Sequence, residues 1–251
     1  MSSFKKRLSG GAERLTFHVC TIPSAAVTQA LAAAGADSVI VDLEHGGVDY
    51  GSGHAMIAAT AGYDCAPLVR VARTDPTHVK RALDLGAEGI VFPLIRNAED
   101  ARLAVSTLRY PPEGVRGFGP FLAQSRWGTE LTDHRDRMQD RLICCLLAET
   151  RDAVENIEEI CAVPGIDLVV PAPFDLSTDL GVSGQFDHPD FVAALRRIET
   201  ACNSAGLPMG GVALMPAQAE ALISRGYRVI GGFDAIWLRN AAKQVKGWAG
   251  G

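Results

Sequence analysis

Lysine is scarce in this chain: Lys5, Lys6, Lys80, Lys243 and Lys246 are the only five, and none falls in a strand-like apolar run or at the end of one. Chemistry that runs through a desolvated lysine amine, as a Schiff base does, is therefore excluded. No apolar run approaches the roughly 20 residues that a membrane-crossing helix needs, and the start Met1-Ser-Ser-Phe-Lys-Lys-Arg7 lacks the apolar core of a signal peptide. A cytoplasmic protein with no membrane partner is expected. There is no Lys/Arg-rich tract either. Lys+Arg 24 against Asp+Glu 29 gives a formal net charge of -5, which disfavours nucleic acid as a partner. The six cysteines, Cys20, Cys65, Cys144, Cys145, Cys161 and Cys202, contain no C-x-x-C pair. Buried free thiols are expected rather than disulfides or zinc ligands.

What is present is a regular alternation. Short β-prone runs occur at His18–Ile22, Ser38–Asp42, Pro67–Val71, Gly89–Ile95, Leu142–Leu147, Asp167–Pro171, Met209–Leu214 and Arg228–Phe233. Between them lie helical patterns such as Ser24–Ala34, Asp75–Leu85, Ala98–Leu108, Asp152–Cys161, His188–Ala205 and Pro216–Arg225. The strand runs are continuously apolar rather than alternating, so both faces are buried and the sheet is parallel. Eight such units in 251 residues fit an α/β chain forming a single (β/α)8 TIM barrel spanning 1–251. The segment Arg109–Asp140, with Tyr110-Pro-Pro-Glu-Gly-Val-Arg-Gly-Phe-Gly-Pro120, is unusually long for a connection. Connections of that length are more often functional or interfacial than idle.

In such barrels the reacting groups stand at the C-terminal ends of the strands. Val41-Asp-Leu-Glu-His-Gly46 closes the second strand, Arg70 the third and Glu149 the fifth, while the sixth runs into Asp175. Glu149 and Asp175, with positions left for water or substrate, suit a hard divalent cation such as Mg²⁺ or Mn²⁺. Such a cation polarises a 2-keto group, and Arg70 can stabilise the charge that develops on its oxygen. His45, its tautomer set by Asp42 or Glu44, is the candidate proton-transfer group. Simpler readings stand beside these. Glu149 and Asp175 could each be a helix cap, and Asp42 and Glu44 could pair with Arg70 or Arg73 in a structural network.

These residues resemble the HpcH/HpaI family of metal-dependent, class II pyruvate aldolases, of the 4-hydroxy-2-oxoheptanedioate and 2-dehydro-3-deoxyglucarate aldolase type. The resemblance covers nearly the whole chain. It rests on Val41-Asp-Leu-Glu-His-Gly46, Arg70-Val71, Lys80-Arg-Ala-Leu-Asp-Leu-Gly-Ala-Glu-Gly89, Arg109-Tyr-Pro-Pro-Glu-Gly-Val-Arg-Gly117, Glu149-Thr150, Ala153-Val-Glu-Asn-Ile157, Val163-Pro-Gly-Ile-Asp167 and Asp175-Leu-Ser177. It implies reversible aldol cleavage of a 4-hydroxy-2-oxo acid to pyruvate, or a related 2-oxo acid, and an aldehyde. By the same resemblance Glu149 and Asp175 hold a divalent ion (Mg²⁺, Mn²⁺ or Co²⁺), Arg70 stabilises the enolate, and His45 with Asp42 is an acid–base dyad acting through water. Backbone N–H groups at Phe174 and Asp175 hold the substrate carboxylate, and Asp84 and Arg126 lie near the mouth or a neighbouring subunit. The resemblance further implies a homo-oligomer, a hexamer or trimer of dimers, with the helix near Asp234–Trp248 packed across a subunit boundary.

Two departures bear on substrate. Leu147 replaces the family's Gln two residues before the metal-binding Glu, and Ala172-Pro-Phe-Asp175 replaces Gly-Pro-Ala-Asp. The alternatives on the same barrel are a metal-dependent oxaloacetate decarboxylase, an acyl-CoA lyase-like enzyme, and a non-catalytic keto-acid-binding barrel. The remaining histidines, His18, His54, His78, His134 and His188, are expected in loops or at the surface. Gly210-Gly211 and Gly231-Gly232 are read as close packing or room for substrate rather than a phosphate site.

Overall fold

The computed structural model describes residues 4–11 and 13–249. Eight strands form one all-parallel sheet: β1 (Leu15–Cys20), β2 (Ser38–Asp42), β3 (Ala66–Arg70), β4 (Gly89–Phe92), β5 (Ile143–Ala148), β6 (Leu168–Pro171), β7 (Gly210–Val212) and β8 (Val229–Phe233). The order β6-β5-β4-β3-β2-β1-β8-β7 is closed by a parallel bridge between Val169 and Met209. The (β/α)8 barrel expected from the alternation is the fold.

Strand residues divide alternately between two cores. Along β5, Ile143, Cys145 and Leu147 face the barrel interior with Phe17, Val19 and Leu68, whereas Cys144 and Leu146 pack outward under the helices with Phe92 and Ile157. This is the period-2 geometry of a strand buried on both sides. The helix Phe4–Ser9 plugs the interior from below, burying Phe4 and Leu8 against it. All six cysteines are buried free thiols, as their apolar settings require.

Helix starts follow capping chemistry: Ser24, Asp49, Asp75, Asn97 and Thr150 each accept a backbone N–H from the first turn of the helix they precede. Two boundaries differ from expectation. β4 stops at Phe92 rather than Ile95, because Pro93 has no N–H for the ladder and Leu94 turns to φ 54. The expected helix Asp152–Cys161 is two helices, Arg151–Glu155 and Ile157–Cys161, broken at Asn156, whose side-chain amide donates to the Arg96 carbonyl at 3.0 Å.

The glycine pairs of β7 and β8 are a packing device. A side chain at Gly231 would collide with the Phe17 carbonyl, and one at Gly210 with Val170. The segment between the helix Ala98–Leu108 and β5 is structured, with helices Ala123–Trp127 and His134–Met138. His134, expected in a loop or at the surface, starts the second of these helices, is buried there and shares a 2.7 Å hydrogen bond with the Thr129 hydroxyl.

Candidate active site

β2 and β3 end side by side, and their register sets Asp42 opposite Arg70. Asp42 is fully buried and accepts from Arg70 Nε at 2.8 Å and Nη2 at 2.6 Å. It also accepts the backbone N–H groups of Glu44 (3.1 Å) and His45 (3.2 Å), which wrap the chain back over the strand end. Burial alone would raise the Asp42 carboxyl, but the guanidinium and the two N–H groups outweigh it and hold the group below its usual range. The structural network considered above is therefore formed: Asp42 and Glu44 both pair with Arg70, Glu44 at 3.3 Å, while Arg73 pairs with Asp75.

Asp42 accepts the His45 N–H, and no direct hydrogen bond joins it to the His45 ring. The reason is the turn, which brings the His45 N–H to Asp42 and sends the imidazole outward, where it is 63% exposed. The carboxylate within reach of its Nε2 is that of Glu44, at 3.7 Å. Glu44 is pushed up to about 7 by burial, with Asp42 and Asp175 adding repulsion against the opposing pull of Arg70. Sequence reasoning gave Glu44 only a supporting place. Its position, two residues past a strand-end acid on the same side, was the available signal.

Glu149 follows directly on β5 and is 4% exposed, with one oxygen accepting the Leu94 N–H at 2.6 Å. Burial pushes its carboxyl up to about 7; the Leu94 N–H opposes this, and Asp175 and Glu44 reinforce it by repulsion. Leu94 was missed in the sequence, since nothing marks a leucine as left-handed. Asp175 lies in the first turn of the helix Pro173–Asp179, exposed beside Phe174. Arg70 and Asp175 line one cavity together with Leu147, Phe174 and apolar side chains of the barrel interior.

Two expected site residues lie elsewhere. Asp84 ends the helix Pro76–Asp84, which runs back antiparallel to β3 and carries it to the opposite end of the barrel, where it pairs with Arg116 at 3.2 Å. Arg126 also sits at that end, donating to the Thr60 hydroxyl and facing Trp127 at 5.0 Å. Neither lines the cavity of its own chain.

Among the described residues, no group of three or more His, Cys, Asp or Glu side chains is arranged to hold a metal ion. The donor set that fits one is the pair Glu149 and Asp175. It is all oxygen and mutually repelling, and it stands where a cation relieves the repulsion. An ion held by these two alone would keep its remaining positions for water and substrate, as Mg²⁺ sites commonly allow.

The HpcH/HpaI aldolase/citrate lyase family model matches residues 20–241. The chain belongs to this family. It is 39% identical over 204 residues to the 2-dehydro-3,6-dideoxy-6-sulfogluconate aldolase of Pseudomonas putida, covering 81% of this chain and 80% of that one. It is 36% identical to the hydroxypyruvate/pyruvate aldolase of Chromohalobacter salexigens, over 86% and 85% of the two chains. The crystal structure of an HpcH/HpaI aldolase/citrate lyase family protein from Burkholderia cenocepacia superposes with a TM-score of 0.90 at 32% identity, covering 98% of each chain. The protein is accordingly a carbon–carbon lyase of the aldolase type, which sets aside the non-catalytic barrel. No described helix is long and apolar enough to cross a membrane.

Proposed function

We propose that this HpcH/HpaI aldolase cleaves a 4-hydroxy-2-oxo acid, reversibly, to pyruvate or a related 2-oxo acid and an aldehyde, with a divalent cation (Mg²⁺, Mn²⁺ or Co²⁺) held by Glu149 and Asp175. The observation that carries the reading is that Arg70 and Asp175 line one cavity, while the buried Glu149 lies close enough to both to feel their charge. A cation bound there supplies Lewis-acid polarisation of the 2-oxo group.

The chain's own residues do the rest. Asp42 fixes Nε and Nη2 of Arg70 and leaves Nη1 outside the pair, so the guanidinium is pre-aimed at the oxygen on which enolate charge develops. The N–H groups of Phe174 and Asp175 lie in a first helical turn, where no intrahelical acceptor exists, and receive the substrate carboxylate. His45 moves the proton of the C4 hydroxyl through water at the open mouth, with Glu44 rather than Asp42 beside its ring.

Asp84, Arg126 and the helix Asp234–Trp248 belong to the oligomer in this reading, a hexamer or trimer of dimers. The helix buries only Asp234 of its own residues and leaves Leu238, Val245 and Trp248 exposed, an apolar surface that a neighbouring subunit covers. Six buried free cysteines fit a reducing cytoplasm.

The test is deuterium exchange into the methyl group of pyruvate, followed by NMR with Mg²⁺ or Mn²⁺ and again with a chelator. Metal-dependent exchange that disappears in Glu149→Ala supports the enolate reading. Absence of exchange in folded, metal-supplied protein overturns it.

A further inference from the structure

The ladder between β1 and β8 reaches up to the pair Val19 and Phe233, and Asp234 follows directly on the second of these. Asp234 is 4% exposed. One of its oxygens accepts the N–H and the hydroxyl of Thr21 at 3.0 and 2.8 Å and the N–H of Ala235 at 2.7 Å, and the other accepts the N–H of Ile22 at 3.0 Å. The bonds to Thr21 and Ile22 therefore act beyond the ladder, on the loop by which the chain leaves β1 at the mouth of the barrel.

Thr21 in turn supports the turn that follows β2. Its carbonyl accepts the Gly47 N–H at 3.2 Å. Gly46 lies so close to it that a side chain there would meet the Thr21 Cα at 3.2 Å and collide with the Asp42 carbonyl. Glu44 and His45 thus sit between two holds: their own N–H groups go to Asp42, and the far leg of the turn goes to Thr21. The His45 side chain is 63% exposed, so its place over the mouth is set by the backbone that carries it. A proton-transfer group must stand within hydrogen-bond reach of its substrate or relay water, and a displacement of about 1 Å can cost on the order of 100-fold in rate.

We propose that Asp234 is a positioning residue for the acid–base step: through Thr21 it fixes the turn at residues 43–47, and with it His45. This rests on the role given to His45 above and adds a residue that does not line the site cavity. The step it serves is balanced as follows. The bond between C3 and C4 breaks, its electron pair stays on the enolate, and the C4 hydroxyl proton passes through water to His45. Arg70 is held by Asp42 and Glu149 by the Leu94 N–H, contacts that do not run through Asp234, so the loss falls on turnover and not on binding.

The experiment measures kcat and KM for cleavage of the aldols of pyruvate with acetaldehyde and with glycolaldehyde, and Mn²⁺ affinity by calorimetry, in the full chain. Asp234→Ala is expected to lower kcat about 10–100-fold with KM and Mn²⁺ affinity unchanged. Thr21→Val keeps the backbone bonds and loses the hydroxyl, so it should give a smaller loss of the same kind, and it carries the comparison if Asp234→Ala does not fold. Asp234→Asn is the rescue. Three donors meet one Asp234 oxygen and one meets the other, so the amide oxygen turns to Thr21 and most of the rate returns, although Ile22 loses its acceptor. An unchanged kcat in the folded variants, or KM and Mn²⁺ affinity that worsen together with kcat, overturns the inference and leaves the aldolase reading standing. Failure of the Mn²⁺-supplied wild type to cleave either aldol overturns the aldolase reading itself.

Discussion

Asp42 and Arg70 are the last residues of two adjacent strands, paired in register and joined by two hydrogen bonds of 2.8 and 2.6 Å in a place where Asp42 has no solvent exposure. A buried pair of this kind contributes little net stability when intact, yet breaking it by removing one partner costs about 3–5 kcal/mol. Its use here is directional, since it holds a long flexible cation in one orientation at the mouth of the barrel.

The folded-state carboxyl of Asp42 lies below its ordinary value, so the stability it contributes is present above about pH 4, the unfolded carboxyl value, and is lost as pH falls through the lower folded one. Asp42→Asn is expected to be less stable at pH 7, by about 3–5 kcal/mol, with the gap closing as the pH drops below about 4. Urea melts of both proteins from pH 3 to 7 measure it. A gap that stays constant over that range would mean the pair is not formed.

Arg70→Lys should preserve the fold and remove the chemistry. Lysine offers a point charge where Asp42 meets a planar fork, so the cation is no longer aimed. Enolate exchange is expected to fall about 100-fold or more, the usual loss for one oxyanion donor, while circular dichroism is unchanged.

Glu149→Gln separates the carboxylate from its hydrogen bond. The amide oxygen can still accept the Leu94 N–H, while the negative charge that burial opposes is gone. A raised folded-state carboxyl penalises the folded chain above the unfolded value, so without metal the variant should melt higher than the wild type at pH 8. Mn²⁺ should raise the melting temperature of the wild type and leave the variant unmoved.

Leu94 offers a backbone test. It occupies a left-handed conformation at φ 54 and supplies the N–H that Glu149 accepts. Leu94→Gly relieves the conformation and keeps the N–H, and should be neutral or stabilising by up to about 1 kcal/mol, with activity retained. Leu94→Pro removes the donor and should abolish activity.

Much of the barrel was legible because parallel strands buried on both faces leave an unbroken apolar run, and Ile143–Ala148 is such a run. The acids at the strand ends were legible because the fold puts chemistry there. What the residues could not convey was direction. Whether Asp42 would meet the His45 ring or its N–H depends on one turn after the strand, and the turn chose the N–H. The place of Asp84 in its own chain was hidden for a related reason. A helix returning from a strand end deposits its last residue at the opposite face, so a motif next to the site in sequence ends far from it in the chain's own fold.

Asp234, at the end of β8, accepts the N–H and hydroxyl of Thr21 at 3.0 and 2.8 Å and the N–H of Ile22 at 3.0 Å, fastening the last strand to the first. The partners stand 213 residues apart in the chain, so during synthesis the sheet keeps an open edge until β8 and the residue that clasps the ring have been made.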